Sequence, residues 1–337
     1  MQAGLHADEV PGMLAARHLC DRLAALDAAG RVSGEVLVVP AANPVGLGQR
    51  VLGGPVGRFD LADGGNFNRA YPWLGPETAR RVEGALQGDA EADVARVRAA
   101  LLDALAETEA LTPAQHLKRA LLGLALDADV VLDLHCDSEA VVHLYALTQA
   151  EAEAAPLAAL LGAKAVLLAD ESGDDPFDEA CSRPWLHLRR ASPDRPVPLA
   201  CFAATVELRG RADVDDDLAA ADAAALLAFL RLRGAVAGER PEVPPPPCRA
   251  TPLAGVDPLV APVPGVGVYR VAPGERVAAG EAVAEIVDPV GGGRTALRAR
   301  ASGVLFARSA GRFAVPGQRL GKIAGAEPSR AGKLLSP

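Results

Sequence analysis

Asp129-Val130-Val131-Leu132-Asp133-Leu134-His135 is a short apolar run that ends in a histidine. Its length and its Val and Leu content read as a buried strand. Glu35–Pro40 (EVLVVP), Ala165–Leu168 and Ala204–Leu208 (ATVEL) have the same texture. Residues 11–29, 76–88, 91–108, 113–126, 150–162 and 215–233 carry helical spacing. Strands alternating with helices predict an α/β sheet. Ligands of such sheets bind at the carboxyl ends of the strands. His135 stands just past one strand end and Glu207 near another, so both fall where a site is expected.

Composition narrows the field. The chain has 337 residues, half of them apolar and 4% aromatic, with a net charge of −9. That length predicts two domains, and the negative charge argues against a nucleic-acid partner. Cys20, Cys136, Cys181, Cys201 and Cys248 are odd in number and widely spaced, with no C-x-x-C pair. A disulfide framework is not expected, and a reducing cytoplasm fits. No signal peptide and no 18-residue apolar span is legible. Leu218–Ala235 is broken by Asp222, Arg231 and Arg233 and reads as a buried helix.

The clearest boundary is Pro244-Pro245-Pro246-Pro247 within 241–248. Consecutive prolines form an extended spacer. It divides a catalytic unit, 1–240, from a Gly-, Pro- and Val-rich unit, 249–325, with a tail at 326–337 expected to be disordered. The second unit holds a weak repeat. Gly267-Val268-Tyr269 leads to Gly280–Ile286, and Gly303–Phe306 leads to Gly317–Ile323. Two similar hairpin units predict a small all-β barrel-sandwich with approximate two-fold symmetry. It resembles the biotinyl/lipoyl-like barrel. The tip region Asp288–Arg300 carries no Lys, so a swinging-arm carrier is rejected in favour of an accessory or assembly role.

His6 and Glu9 are three residues apart, so one turn brings them to one side, and His135 can supply a third ligand. Two His, one carboxylate and an open position make the set of a catalytic zinc. Each piece is common on its own. An isolated H-x-x-E arises by chance, His135 alone could be a bonded core histidine, and Asp133 could orient a ligand His or merely cap a helix. His6 should also follow a strand, yet almost nothing precedes it. Either the start lies upstream or a first strand is lost, and a loop tethered to no strand would be poorly positioned.

Residues 40–73 (PAANPVGLGQRVLGGPVGRFDLADGGNFNRAYPW) form a long Gly-rich stretch laden with Arg and Asn. Such loops are usually functional. Asn68-Arg69 sets an amide beside a fork of donors suited to a carboxylate. The alternative is a surface loop bridged to Asp60 or Asp63.

The order H-x-x-E, N-P, R then N-R, D-L-H and a late strand Glu resembles the succinylglutamate desuccinylase/aspartoacylase family, which belongs with the zinc carboxypeptidases. The likeness covers roughly residues 3–235, and the C-terminal barrel occurs in bacterial members. It implies a mixed sheet flanked by helices. His6, Glu9 and His135 would bind one Zn2+. Arg58 would polarise the scissile carbonyl, Asn68 and Arg69 would hold a substrate carboxylate, and Glu207 would be general base and acid. The alternative for Glu207 is a strand Glu paired with Arg209. Ala7 stands where the family commonly has Gly, and Asn66 replaces an Asp. Arg50 is a rival to Arg58, and a second substrate anchor has no match. Cys136–Tyr145 is expected to line the pocket, with His143 structural, and Asp170–Asp178 reads as a solvated loop before a lid. The resulting expectation is a cytoplasmic zinc deacylase of small N-acyl amino acids or related amides, with a homo-oligomer possible. Alternatives are a carboxypeptidase on short peptides and a non-catalytic binding homologue.

Overall fold

The computed structural model describes residues 1–193 and 197–335. Its centre is a six-stranded mixed sheet in the order β1-β4-β8-β6-β7-β9. These strands are β1 (Gln2–Ala3), β4 (Val130–Asp137), β6 (His143–Ala146), β7 (Ala165–Leu168), β8 (Phe202–Gly210) and β9 (Ala250–Pro252). β8 and β6 are antiparallel, and the other neighbours are parallel. The small hairpin β2 (Arg50–Val51) and β3 (Gly54–Pro55) and the two-residue β5 (Glu139–Ala140) lie outside this path.

Alternation along the strands sorts the two faces. Leu132 and Leu134, Ala204, Val206 and Leu208, Leu144 and Ala146 point to one side. There they bury against α1 (Pro11–Ala28), α6 (Glu151–Leu161) and α8 (Asp216–Leu232). On the other side Val131 and Ala203 pack beneath α3 (Gly75–Val82), α4 (Ala90–Ala106), α5 (Pro113–Gly123) and α7 (Phe177–Ala191). Further along that second face the strands turn polar. Asp133 aligns with Thr205 and Tyr145, and His135 with Glu207 and His143. A row of ionisable groups thus crosses three adjacent strands at their inner face.

Four of the six expected helices fall within two residues of the observed ends, and two end early. α3 stops at Val82 because Glu83 is extended and Gly84 takes φ +71°, and α5 stops at Gly123. α7 is not among the expected helices, and it carries Pro184 inside it. It forms because Phe177, Cys181, Trp185 and Leu188 line one buried face, and that packing outweighs the missing hydrogen bond. Glu35–Pro40 does not form a buried strand. It is a half-buried segment with one bridge, Val39 to Gln2, because its neighbour β1 offers two residues to pair with. β1 nevertheless answers the concern about the His6 loop. Gln2 and Ala3 pair with Asp133 and Leu134, and Ala3 N–H donates to Val39 O.

After the exposed proline segment, β9 joins the central sheet. Two antiparallel sheets follow. One contains β10 (Val256–Val260), β17 (Arg319–Gly325), β15 (Gly303–Arg308) and β12 (Arg276–Val277). The other contains β14 (Arg294–Arg298), β13 (Ala282–Val287), β11 (Gly265–Tyr269) and β16 (Phe313–Ala314). The repeat is visible in this arrangement. β11 and β13 share one sheet and lend β12 to the other, while β15 and β17 share the second and lend β16 to the first. The segment after 326, expected to be disordered, packs on the body of the protein at Leu334. Leu334 is buried with Leu167, Leu253 and Phe306, and its N–H donates to Ser172 O at 2.8 Å.

Candidate metal centre

The loop after β1 is held from three sides. Ala7 N–H donates to Gly57 O at 2.9 Å, and Asn43 Nδ2 donates to Leu5 O at 2.8 Å. A Cβ on Gly57 would stand 2.2 Å from Asp8 N, so the approach of residue 57 requires glycine. The Ala7 methyl is accommodated by Gly46, where a Cβ would lie 2.9 Å from it. Glu9 N–H donates to His6 O, closing the turn that aligns the two side chains.

His6, Glu9 and His135 then meet, with one donor atom from each within 4.8 Å of the others, all buried. His6 Nδ1 is 2.9 Å from Glu9 Oε1, and His135 Nδ1 is 2.8 Å from Glu9 Oε2. The far side of each ring is also fixed. His6 Nε2 lies 2.8 Å from Asn66 Oδ1, an atom that already accepts from Asn68 N–H and so is the oxygen. His135 Nε2 lies 2.8 Å from Asp133 Oδ2. Both Nε2 atoms therefore donate outward, leaving the Nδ1 lone pairs facing a carboxylate. Lone pairs facing a carboxylate need a cation or a proton between them. The donor set fits a zinc ion of the two-His, one-carboxylate kind. Without metal, burial keeps His6 below its usual range. His135 is held well above its range because Asp133 and Glu9 outweigh burial. Glu9 is driven well below the usual carboxylate range, since the two histidines outweigh the cost of burial.

A narrow cavity of about 70 Å³ sits over this centre. Arg58, Asn68, Arg69 and Glu207 all line it. Arg58 Nη1 donates to Glu9 Oε1 at 3.2 Å, whereas Arg50 is exposed on β2 and bonds Leu47 O and Gln49 O. Asn68 is tied into the scaffold, its Oδ1 accepting Phe177 N–H at 2.9 Å. Arg69 Nη1 donates to Asn68 O, and burial and Arg58 lower the guanidinium's affinity for its proton. Glu207 stands beside His135 in register. Its Oε2 is buried without a hydrogen-bond partner among the described residues. Burial first, then the charge of Glu9, pushes its carboxyl up to about 8. Arg209 does not pair with it. The backbone at Arg209 takes φ +65°, and the guanidinium bonds Asp222.

Other expectations resolve differently. Asp133 is a histidine partner and no helix cap. His143 is fully buried, bonds Val141 O and packs on Phe306, and burial lowers it to about 4. Asp170–Asp178 is not a plain solvated loop. Asp174 O and Asp175 O accept the N–H groups of Ala70 and Tyr71, and Asp178 is buried in the cavity wall. Asn66 as the partner of His6, Asp178 and Lys322 were not singled out from sequence. Lys322 carried one signal, as the one lysine between residues 249 and 325.

The sequence profile of the succinylglutamate desuccinylase/aspartoacylase catalytic domain matches residues 1–233. Among solved structures, a succinylglutamate desuccinylase/aspartoacylase family protein of Shewanella amazonensis is 27% identical. It covers 96% of this chain and 89% of its own, with a TM-score of 0.82. A second such protein, from Shewanella frigidimarina, is 24% identical, with coverages of 97% and 90% and the same TM-score. The ectoine utilization protein EutE (DoeB) of Ruegeria pomeroyi, in a product-bound structure, is 18% identical, with coverages of 96% and 84% and a TM-score of 0.64. No curated protein matches the chain.

Proposed function

The chain belongs to the succinylglutamate desuccinylase/aspartoacylase family, and on that premise we propose that it is a zinc-dependent deacylase of a small N-acyl amino acid or related amide. The observation that carries the reading is the position of Glu207, in register with His135 and with one carboxylate oxygen unclaimed, at the edge of a converging His6, Glu9 and His135 set.

His6, Glu9 and His135 would hold the ion, oriented from behind by Asn66 and Asp133. Zinc, when bound there, supplies Lewis acidity and makes water acidic enough to ionise near neutral pH. Glu207 takes the proton from the attacking water and returns it to the leaving amine. Arg58 meets the oxyanion that develops on the acyl carbonyl. Arg69, with Asn68 beside it, receives the carboxylate of the amino-acid part. The five thiols are free, and no helix among the described residues is long and apolar enough to cross a membrane. We place the enzyme in a reducing cytoplasm as part of the same proposal.

The test is a screen of acetyl-, succinyl- and aspartyl-type N-acyl amino acids with zinc content measured alongside. Release of free amino acid in proportion to bound zinc is expected. Release of C-terminal residues from short peptides with no action on acyl amino acids would replace the deacylase by a carboxypeptidase.

A further inference from the structure

The segment that follows His135 is gripped residue by residue by the C-terminal β-sandwich. Asp137 Oδ2 accepts from Lys322 Nζ at 2.5 Å. Ser138 Oγ accepts Ala310 N–H at 2.8 Å. Glu139 accepts from Arg308 Nε at 2.7 Å and Arg312 Nη2 at 2.6 Å. Ala140 pairs with Ala307 in the β5–β15 ladder, and Val141 N–H donates to Phe306 O. Five consecutive residues, from the end of β4 toward β6, are thereby fixed by another unit of the chain.

Lys322 differs from the other members of this clamp. It lines the same cavity as His6, Arg58, His135, Tyr145 and Glu207. Strand geometry explains how it gets there. Ile323 points into the sandwich beside Val283 and Leu305, so its neighbours Lys322 and Ala324 point the other way. Ala324 packs on the group that contains Ala165 and Leu167 of the catalytic sheet. An ammonium carries three donors, and Asp137 takes one of them. The pair is the kind of buried ion pair whose separation leaves an uncompensated charge.

We propose that Lys322 is a positioning residue of the catalytic pocket, supplied by the C-terminal β-sandwich. Through its ion pair with Asp137 it pins the strand end that carries His135, and it sets a positive charge in the cavity wall beside Glu207. The sandwich thus contributes a side chain to the cavity wall. The kinetic part of this inference rests on the deacylase reading, and the structural part does not.

The test uses the full-length zinc-loaded chain in three forms: Lys322→Met, Lys322→Arg, and Arg308→Ala with Arg312→Ala. The last weakens the clamp outside the cavity. Lys322→Met is expected to lower kcat about tenfold or more with a smaller change in KM. It should weaken zinc binding about tenfold, as for residues that support a ligand from behind, and speed amide hydrogen exchange at residues 135–138. Lys322→Arg should recover most of the loss. The double Arg variant should speed exchange at 138–141 while kcat stays within threefold. Wild-type kcat, zinc affinity and exchange in Lys322→Met overturn the proposal. So does a loss that Lys322→Arg does not restore or that the double Arg variant reproduces. If the wild-type chain hydrolyses no acyl amino acid, the deacylase reading fails, and zinc affinity and exchange still decide the role of Lys322.

Discussion

Asp133 Oδ2 lies 2.8 Å from His135 Nε2, two residues along the same strand. Residues i and i+2 share a strand face, so one stretch of β4 supplies both a metal-ligand candidate and the group that sets its tautomer. Gln2 Nε2 donates to Asp133 Oδ1 at 3.1 Å, so the first strand of the sheet steadies the aspartate in turn. Asp133→Asn keeps the shape and loses the charge. Zinc affinity is expected to fall roughly 10- to 100-fold, read by competition with a chelator, while the fold is retained. Unchanged affinity would mean that Asp133 serves the core alone.

Glu207 makes a sharper case, because its role and its packing can be separated. Replacing it by Gln leaves the volume unchanged and puts an amide where the carboxyl stands. Turnover is expected to drop by roughly 10²- to 10⁴-fold, with zinc content near that of the unchanged protein. Loss of the metal together with activity would show that Glu207 acts on the centre's assembly and not on proton transfer.

Arg58 and Arg50 occupy one Gly-rich stretch, and geometry separates them. Arg58 reaches Glu9 and the cavity, whereas Arg50 is bonded to backbone carbonyls of its own turn. Arg58→Ala is expected to lower kcat by roughly 10²- to 10³-fold, the range for loss of one oxyanion donor. Arg50→Ala should stay within about twofold of the unchanged enzyme in the same assay. Equal losses would assign the effect to loop stability.

What the sequence made legible follows from how local each signal is. His6, Glu9, His135 and Glu207 are legible through the order of their motifs, which resembles the family's; the fold brings His6, Glu9 and His135 together and sets Glu207 in register with His135. The β-sandwich was readable because its two hairpin units repeat. Lys322 was not, since its role depends on how one unit docks on another, and nothing within Arg319–Gly325 encodes that. α7 is legible only through the spacing of Phe177, Cys181, Trp185 and Leu188, all buried on one face. The strand expected at 35–40 failed for the converse reason. Its β-rich residues were in place, but a strand needs a partner, and β1 supplies two residues.

Asp178 provides a prediction about pH. It begins the buried first turn of α7, and burial, then the charge of Asp133, raises its carboxyl from 3.8 to about 6. Between those two values the folded chain holds a proton that the unfolded chain has released. Stability from this group is therefore fully present below about pH 4 and lost as pH rises through about 6. The difference of about two units corresponds to ~3 kcal/mol at pH 8. Asp178→Asn cannot ionise and keeps the shape of the protonated acid. In chelator-treated protein, urea unfolding should find the variant and the unchanged chain alike near pH 4. The variant should pull ahead as pH rises to 8, by up to the same ~3 kcal/mol. A variant that is less stable at pH 8 would show that the ionised carboxylate is well paired in the folded chain, and the assignment of a raised carboxyl to Asp178 would fall.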